Sequence, residues 1–488
     1  MNPFFARDGK KWHEFPRYSY GRIDQIEPRE PTVEENALFA FDVVDANWTG
    51  FSSKAMFNLQ DLDELNSAQA LYWRKAFSEP GTEEDPYLDA KIYRIEISCA
   101  RSDPKYSELI GLAETDWVKM TLDGRTGFEV DVFGNMFSDP VVAYLSDVAK
   151  VDQQLSAALT AAFDMDKWPI ASDADVEAVL SHINGIEFLT MYDIGQGSAN
   201  GLLDAAENVQ LYFDLGCGVY RNHKTAPNPL RFCWNRRAPI ILSHWDSDHW
   251  AGANSDPLAL SKTWIAPKQS ISTTHTTFAS SILAARGRLL VWNPPGGRIL
   301  KVPFADGKEL RLTRCLGSTR NGSGIACVME NPALDVGWLL TGDAGYDEID
   351  PSVLPNELQA IVVPHHGADM GIGSVPPSRP SAHSYARLLY SFGPDNSHGR
   401  YGTRHPTVAA MNAHKATRWG HGGWTVPGEN IAGSDVLASA DHTALGSPTK
   451  GHLSGAVVGW SGVPTLPRRR PHGTATSVRG CTTEVDQV

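Results

Sequence analysis

Residues 242–252 read "LSHWDSDHWAG", which sets two histidines and two aspartates within six positions: His244, Asp246, Asp248 and His249. The apolar run "APIIL" (238–242) leads into them, so a strand delivers all four at its exit. His244 and Asp246 stand two apart and point the same way in extended backbone, while Asp248 and His249, one step further round the turn, aim at a second point. A lone histidine after a strand is usually an ordinary core or surface residue. Four metal-ligating groups in six positions are hard to explain by packing. Their arrangement suits two divalent ions sharing one pocket, about 3.5 to 4 Å apart.

Two ions need further ligands, and the chain supplies them after other strands. "LLTGDAG" (339–345) places Asp343 where one carboxylate could bridge both ions, and "VVPHHGA" (362–368) offers His365 and His366. Alone, the first could be an ordinary turn and the second an exposed loop. The strand "GIEFLTMYD" ends in the glycine-rich "IGQGSANG" (194–201), and "NVQLYFDLGCG" ends in Asp214 and further glycines. Each short apolar strand stops just before polar residues capable of chemistry, with "GIACVME" and "DVGWLL" as a hairpin and "TTFASSILAARGR" and "SAHSYARLLYSF" as intervening helical material.

Composition frames the rest. The chain has 488 residues, 42% of them hydrophobic, enough for two or three domains with ordinary cores. No apolar stretch approaches the roughly 18 residues of a membrane span. The start, "MNPFFARDGKKWHEF", lacks the basic-then-apolar order of a secretory signal, so a cytoplasmic protein without a membrane partner is expected. Six scattered cysteines form no C-x-x-C pair, against a disulfide framework or a cysteine-based zinc site. Residues 1–185 hold 17 Lys+Arg against 33 Asp+Glu, and the remainder 26 against 24. This asymmetry sets the expected domains at 1–185 (acidic), 186–461 (the motif-bearing part) and 462–488 (a disordered tail).

Within the acidic part, residues 1–35 look like an extended lead-in. "LDAKIYRIEISCA" and "GRTGFEVDVFGNMF" alternate like strands, "DPVVAYLSDVAKVDQQLSAALTAAF" has helical spacing, and "SDADVEAVLSHI" opens with an N-cap serine. No motif there carries chemistry, so a structural or partner-binding role is expected, with a protein partner for this domain.

The order of H-x-[HD]-x-D-H, T-G-D and H-H-G after strands resembles the metallo-β-lactamase superfamily of metal-dependent hydrolases. More narrowly, "YDIGQGSA", "LSHWDSDHWAG", "LLTGDAG" and "VPHHGA" resemble the hydrolase domain of ComEC-type DNA-uptake proteins and their free-standing relatives, over about residues 187–425. The resemblance implies an αββα sandwich, an α/β (α+β) fold, with an additional N-terminal α+β domain. It further implies that His244 and Asp246 bind a first ion and Asp248 and His249 a second, with Asp343 bridging. His365, first off its strand, completes the second site in preference to His366. The implied cofactor is one or two divalent ions, Zn²⁺ or Mn²⁺ ahead of Mg²⁺.

Three departures qualify that picture. Asp246 stands where most members have a histidine, a harder ligand that favours Mn²⁺ or Mg²⁺ and raises the pKa of bound water. The histidine usual between the first motif and T-G-D is missing; His275, the one histidine in that interval, is either a ligand or a residue that caps or decorates a helix start. "RYGTRHPT" (400–407) resembles a late Y-G-H-P segment with Thr403 and Arg404 inserted, giving His405 as proton donor to a leaving group and Arg404, with Arg400 nearby, as phosphate-binding; equally, His-Pro could simply start the helix "TVAAMNAHKA".

The expected chemistry is hydrolysis by metal-activated water, with Asp248 orienting the nucleophile and the backbone N–H groups of Gly195, Gly197 and Ser198 holding an anionic substrate. Trp245 and Trp250 flank the ligands as packing or as base-stacking platforms. A phosphodiesterase or nuclease acting on nucleic acid or a nucleotide is the leading expectation. A lactone, thioester or β-lactam hydrolase of the same fold, or a non-catalytic metal-bound scaffold for a protein partner, are the alternatives.

Overall fold

The computed structural model describes residues 1–7, 14–27, 36–228, 230–234, 236–381, 383, 385–400, 404–421, 434–440, 451–452, 455–460 and, for the backbone, 468–470. Two units emerge: Met1–Pro169 with Lys268–Leu289 and Ser397–Thr403, and Ile170–Pro267 with Leu290–Asn396 and Arg404–Val488.

The first unit is built on a closed barrel of β1 (Tyr18–Glu27), β2 (Asn36–Asp45), β3 (Ile92–Ala100), β4 (Val118–Asp123), β5 (Phe128–Phe133) and β6 (Val141–Lys150), in the order β1-β2-β3-β5-β6-β4. Residues two apart on β2 and β3, among them Phe39, Phe41, Val43, Ile95 and Ile97, share one core with Val130 and Leu145. Leu62–Ser78 and Gln153–Phe163 are α-helices whose first turns are capped by Asp61 and Asp152.

Several sequence expectations change here. Residues 1–35 are no mere lead-in: β1 is a barrel strand with Ile23 in the core, and Phe4 and Phe5 are buried. The span expected to be helical from Asp139 to Phe163 is half strand. Ala143 and Leu145 alternate inward on β6, and the helix begins only after Asp152. A short apolar run fits either period, and pairing with β4 and β5 decides it.

The second unit holds a nine-stranded and a seven-stranded sheet. The first has β7 (Ile170–Ala171), β8 (Phe188–Met191), β9 (Ala199–Leu203), β10 (Val209–Leu215), β11 (Ile240–Ile241), β12 (Thr263–Pro267), β13 (Arg288–Trp292), β21 (Gly455–Gly459) and β22 (Arg468–Arg470), ordered β22-β21-β8-β9-β10-β11-β12-β13-β7. The second runs β14 (Ile299–Pro303), β15 (Glu309–Arg314), β16 (Ile325–Asn331), β17 (Val336–Leu340), β18 (Glu357–Val362), β19 (Arg387–Tyr390) and β20 (Val436–Ala438) in chain order.

Period-two alternation assigns the faces. Ile325, Cys327 and Met329 of β16 join Leu189, Met191, Leu211, Phe213 and Ile241 of the other sheet in one core. Ala326 and Val328 face a second core that includes Met411 of the α-helix Val408–Ala416. Trp338 of β17 stacks on Trp460, just past β21, with ring centroids 3.6 Å apart, so the two sheets meet face to face. The α-helix Asp173–Leu180, opened by the capping box of Ser172 and Asp175, contributes Val176 and Leu180 to that shared core.

That packing moves the first boundary from residue 185 to Pro169, because charge balance reports the solvated surface and not the core a helix joins. "SAHSYARLLYSF", expected as helix, contains the parallel strand β19, buried on both faces. The expected disordered tail contains the strand β22, paired with β21, and otherwise lies outside the described residues. No helix among the described residues is long and apolar enough to cross a membrane.

Candidate metal centre

β10 and β11 pair in parallel, as do β17, β18 and β19. Asp214 lies at the end of β10, His244 to His249 follow β11, Asp343 follows β17, and His365 and His366 follow β18. The candidate ligands therefore come off the C-terminal ends of parallel strands from both sheets, where irregular backbone is free to point side chains inward.

Asp343 is the hub. His249 Nε2 lies 2.9 Å from its Oδ1 and His366 Nε2 3.9 Å from the same oxygen. Its Oδ2 faces His244 Nε2 at 3.6 Å and His365 Nε2 at 3.5 Å. Asp248 completes the first pair, with Oδ2 3.2 Å from His366 Nε2 and Oδ1 3.9 Å from His249 Nε2. Two triads bring one donor atom each to within 4.8 Å of one another: His244, His249 and Asp343, and Asp248, His249 and His366.

The far side of each ring decides whether these groups fit a metal ion. His366 Nδ1 donates to the Ser391 carbonyl at 2.8 Å, and His249 Nδ1 donates to Asp214 Oδ2 at 2.7 Å. The Ser243 hydroxyl donates to Asp214 at 2.9 Å, so its oxygen accepts from His244 Nδ1 at 3.0 Å. In all three rings Nδ1 is the outward donor, so Nε2 is the atom turned inward and the one that would ligate. Those three Nε2 atoms and Asp343 Oδ1 are buried with no hydrogen-bond partner, a costly arrangement that a bound cation relieves. The residues fit a divalent ion.

Burial pushes the Asp343 and Asp248 carboxyls up. The neighbouring histidines, His249 and His365 for Asp343 and His366 and His249 for Asp248, outweigh it and hold both well below the usual range. Burial likewise lowers His249, but Asp343 and Asp214 raise it well above the ordinary imidazole value. Both carboxylates are thus ionised, as ligation requires.

Several expected roles are redistributed. His366, rather than His365, faces Asp248. Both histidines hold left-handed backbone (φ 47° and 54°), which splays their rings 71° apart, so order along the chain does not determine direction. His405 is buried against His365, with ring centroids 5.3 Å apart. Burial, then His365 and His366, keep it well below the ordinary histidine range, which favours the neutral imidazole. Ser198 donates its N–H to the Asp248 carbonyl (3.1 Å), so it is not available to an anionic substrate. A Cβ on Gly197 or Gly216 would stand 2.5 or 1.7 Å from that same carbonyl. These glycines make room for the ligand loop. Arg404 pairs with Asp395 at the surface (3.0 Å), and Arg400, in the first unit, pairs with Asp131 and Glu129. Trp245 and Trp250 are fully buried, donating to the carbonyls of Pro267 and Trp245, and act as packing.

His275 lies in the first unit beside Asp24 and Asp42, a third group of metal-ligating residue types. Its Nδ1 accepts the Ser272 N–H at 3.1 Å, so Nε2 carries the proton and faces Asp24 Oδ1 at 3.3 Å. A protonated nitrogen cannot ligate, and the group is a hydrogen-bonded network. Sequence reading missed Asp214 as the support of His249, and Arg320, whose Nη1 lies 3.0 Å from Asp246 Oδ1. The strand end "FDLGCG" is a signal for the first; the loop holding Arg320 carries none.

No protein-family model matches the chain, and no curated protein matches it. Among solved structures, Zn²⁺-bound PqqB from Methylobacterium extorquens is similar to 36% of this chain and 71% of its own length, at 9% identity and a TM-score of 0.24.

Proposed function

We propose that the chain is a metal-dependent hydrolase of the metallo-β-lactamase superfamily and that it cleaves phosphodiester bonds in a nucleic acid or nucleotide. The observation that carries the metal-dependent part is the convergence of three buried, inward-facing Nε2 atoms on Asp343 and Asp248. His244, His249, His366, Asp248 and Asp343 would hold the metal, with Asp246 and His365 beside them. A bound divalent ion supplies an acidified water and a positive charge for the developing oxyanion.

The chain's own residues do the rest. Asp248, partly exposed and ionised, accepts a hydrogen bond from the attacking water and orients it. Asp214 and Ser391 fix the histidine tautomers. Arg320 places a permanent positive charge beside Asp246, which suits an anionic substrate. An aspartate at position 246, where the lactone and β-lactam branches of the superfamily usually keep a histidine, favours the phosphodiester reading.

Metal-stripped protein, reloaded singly with Mn²⁺, Zn²⁺ or Mg²⁺, tests this on bis-p-nitrophenyl phosphate, single-stranded DNA, plasmid DNA and RNA, with a lactone panel alongside. Restored phosphodiester cleavage that falls at least 100-fold in Asp248→Ala is the expected result. Turnover of lactones alone would reassign the substrate. No hydrolysis with any metal would leave a binding scaffold.

A further inference from the structure

Asp246 stands apart from the other motif carboxylates. It belongs to neither triad of converging donors, and its Oδ1 is held by the Arg320 guanidinium at 3.0 Å while its Oδ2 lies 3.5 Å from His244 Nε2. Arg320 is 4% exposed, so this ion pair is largely withdrawn from solvent screening. A guanidinium is permanently charged and cannot give up its proton to make way for a metal ion.

We infer that the centre retains a single divalent ion, held among His244, Asp248, His249, His366 and Asp343, and that Arg320 serves as the fixed cation on the Asp246 side. This rests on the metal-dependent reading above and goes further by setting the number of ions and naming what replaces the second. A second ion on the Asp246 side would sit beside this permanently charged group and compete with it for the same carboxylate.

The test counts bound metal directly. Apo protein is loaded with excess Mn²⁺ or Zn²⁺ and desalted, and the ions per chain are counted by native mass spectrometry and elemental analysis. Wild type is expected to keep one ion, Arg320→Lys one, and Asp246→Asn one, because Asp246 does not ligate the retained ion. Arg320→Ala, which frees Asp246, is expected to rise to two. Two ions in wild type, loss of the ion in Asp246→Asn, or a count still at one in a folded Arg320→Ala would overturn the inference and leave the metal-dependent reading intact. Should Arg320→Ala not fold, the wild-type, Arg320→Lys and Asp246→Asn counts decide. Wild type keeping no ion would overturn both readings.

Discussion

Asp214 touches no candidate ion site, yet it orders the ring that does. Its carboxylate accepts from the Ser243 N–H (2.7 Å), the Ser243 hydroxyl and His249 Nδ1, and through Ser243 it reaches His244 as well. Replacing a charged acceptor of this kind weakens metal retention by about 10- to 100-fold. Asp214→Asn should do so in a chelator-competition titration, with activity recovering in excess metal. Activity that stays lost at saturating metal would instead place Asp214 in the chemistry. At this scale the sequence displayed the donors and their order but not their supports. A carboxylate at a strand end has no distinguishing pattern until a histidine from the next strand is laid beside it.

At the scale of the element, two glycine-containing turns and one ligand loop form a single piece. The Ser198 N–H and the open faces of Gly197 and Gly216 enclose the Asp248 carbonyl. A Cβ at Gly216 would fall 1.7 Å from that oxygen, a backbone atom unable to swing aside. Gly216→Ala should therefore cost about 3 kcal/mol, at the upper end of overpacking penalties, and loosen the ion held by Asp248 and His249. Denaturant melts and the metal count measure both; unchanged stability would mean that the loop yields freely. The glycines were legible in "IGQGSANG" and "DLGCG", but their purpose was not, because the oxygen they accommodate comes from another strand.

For the whole molecule, acid is the informative perturbation. His414, on the helix that covers the outer face of the seven-stranded sheet, donates from Nδ1 to the Ala410 carbonyl and accepts the Tyr346 hydroxyl at Nε2 (2.9 Å). Burial, with His421 also nearby, pushes its pKa down to about 4. An unfolded histidine takes its proton near pH 6.5, so between those values the unfolded chain binds more protons and stability decreases as the pH is lowered. The contribution is complete above about 6.5 and lost below about 4, and from pH 7 to 5 it amounts to about 2 kcal/mol. His414→Gln should flatten the pH dependence of stability by that amount. A slope unchanged from wild type would assign the acid sensitivity to other buried histidines.

By itself the sequence determined which residue types leave which strands, and in what order. Those are local properties, written in apolar runs that stop before His, Asp and Gly. It also determined the hairpin of β16 and β17. Only the tertiary structure decided that His366 turns toward Asp248, that Arg320 holds Asp246, that His275 lies in the other unit, and that β6 and β19 are strands. Each of these depends on what a distant segment presents, whether a paired strand, a carbonyl or a guanidinium. Such partners are set by how two sheets share one core and not by spacing along the chain.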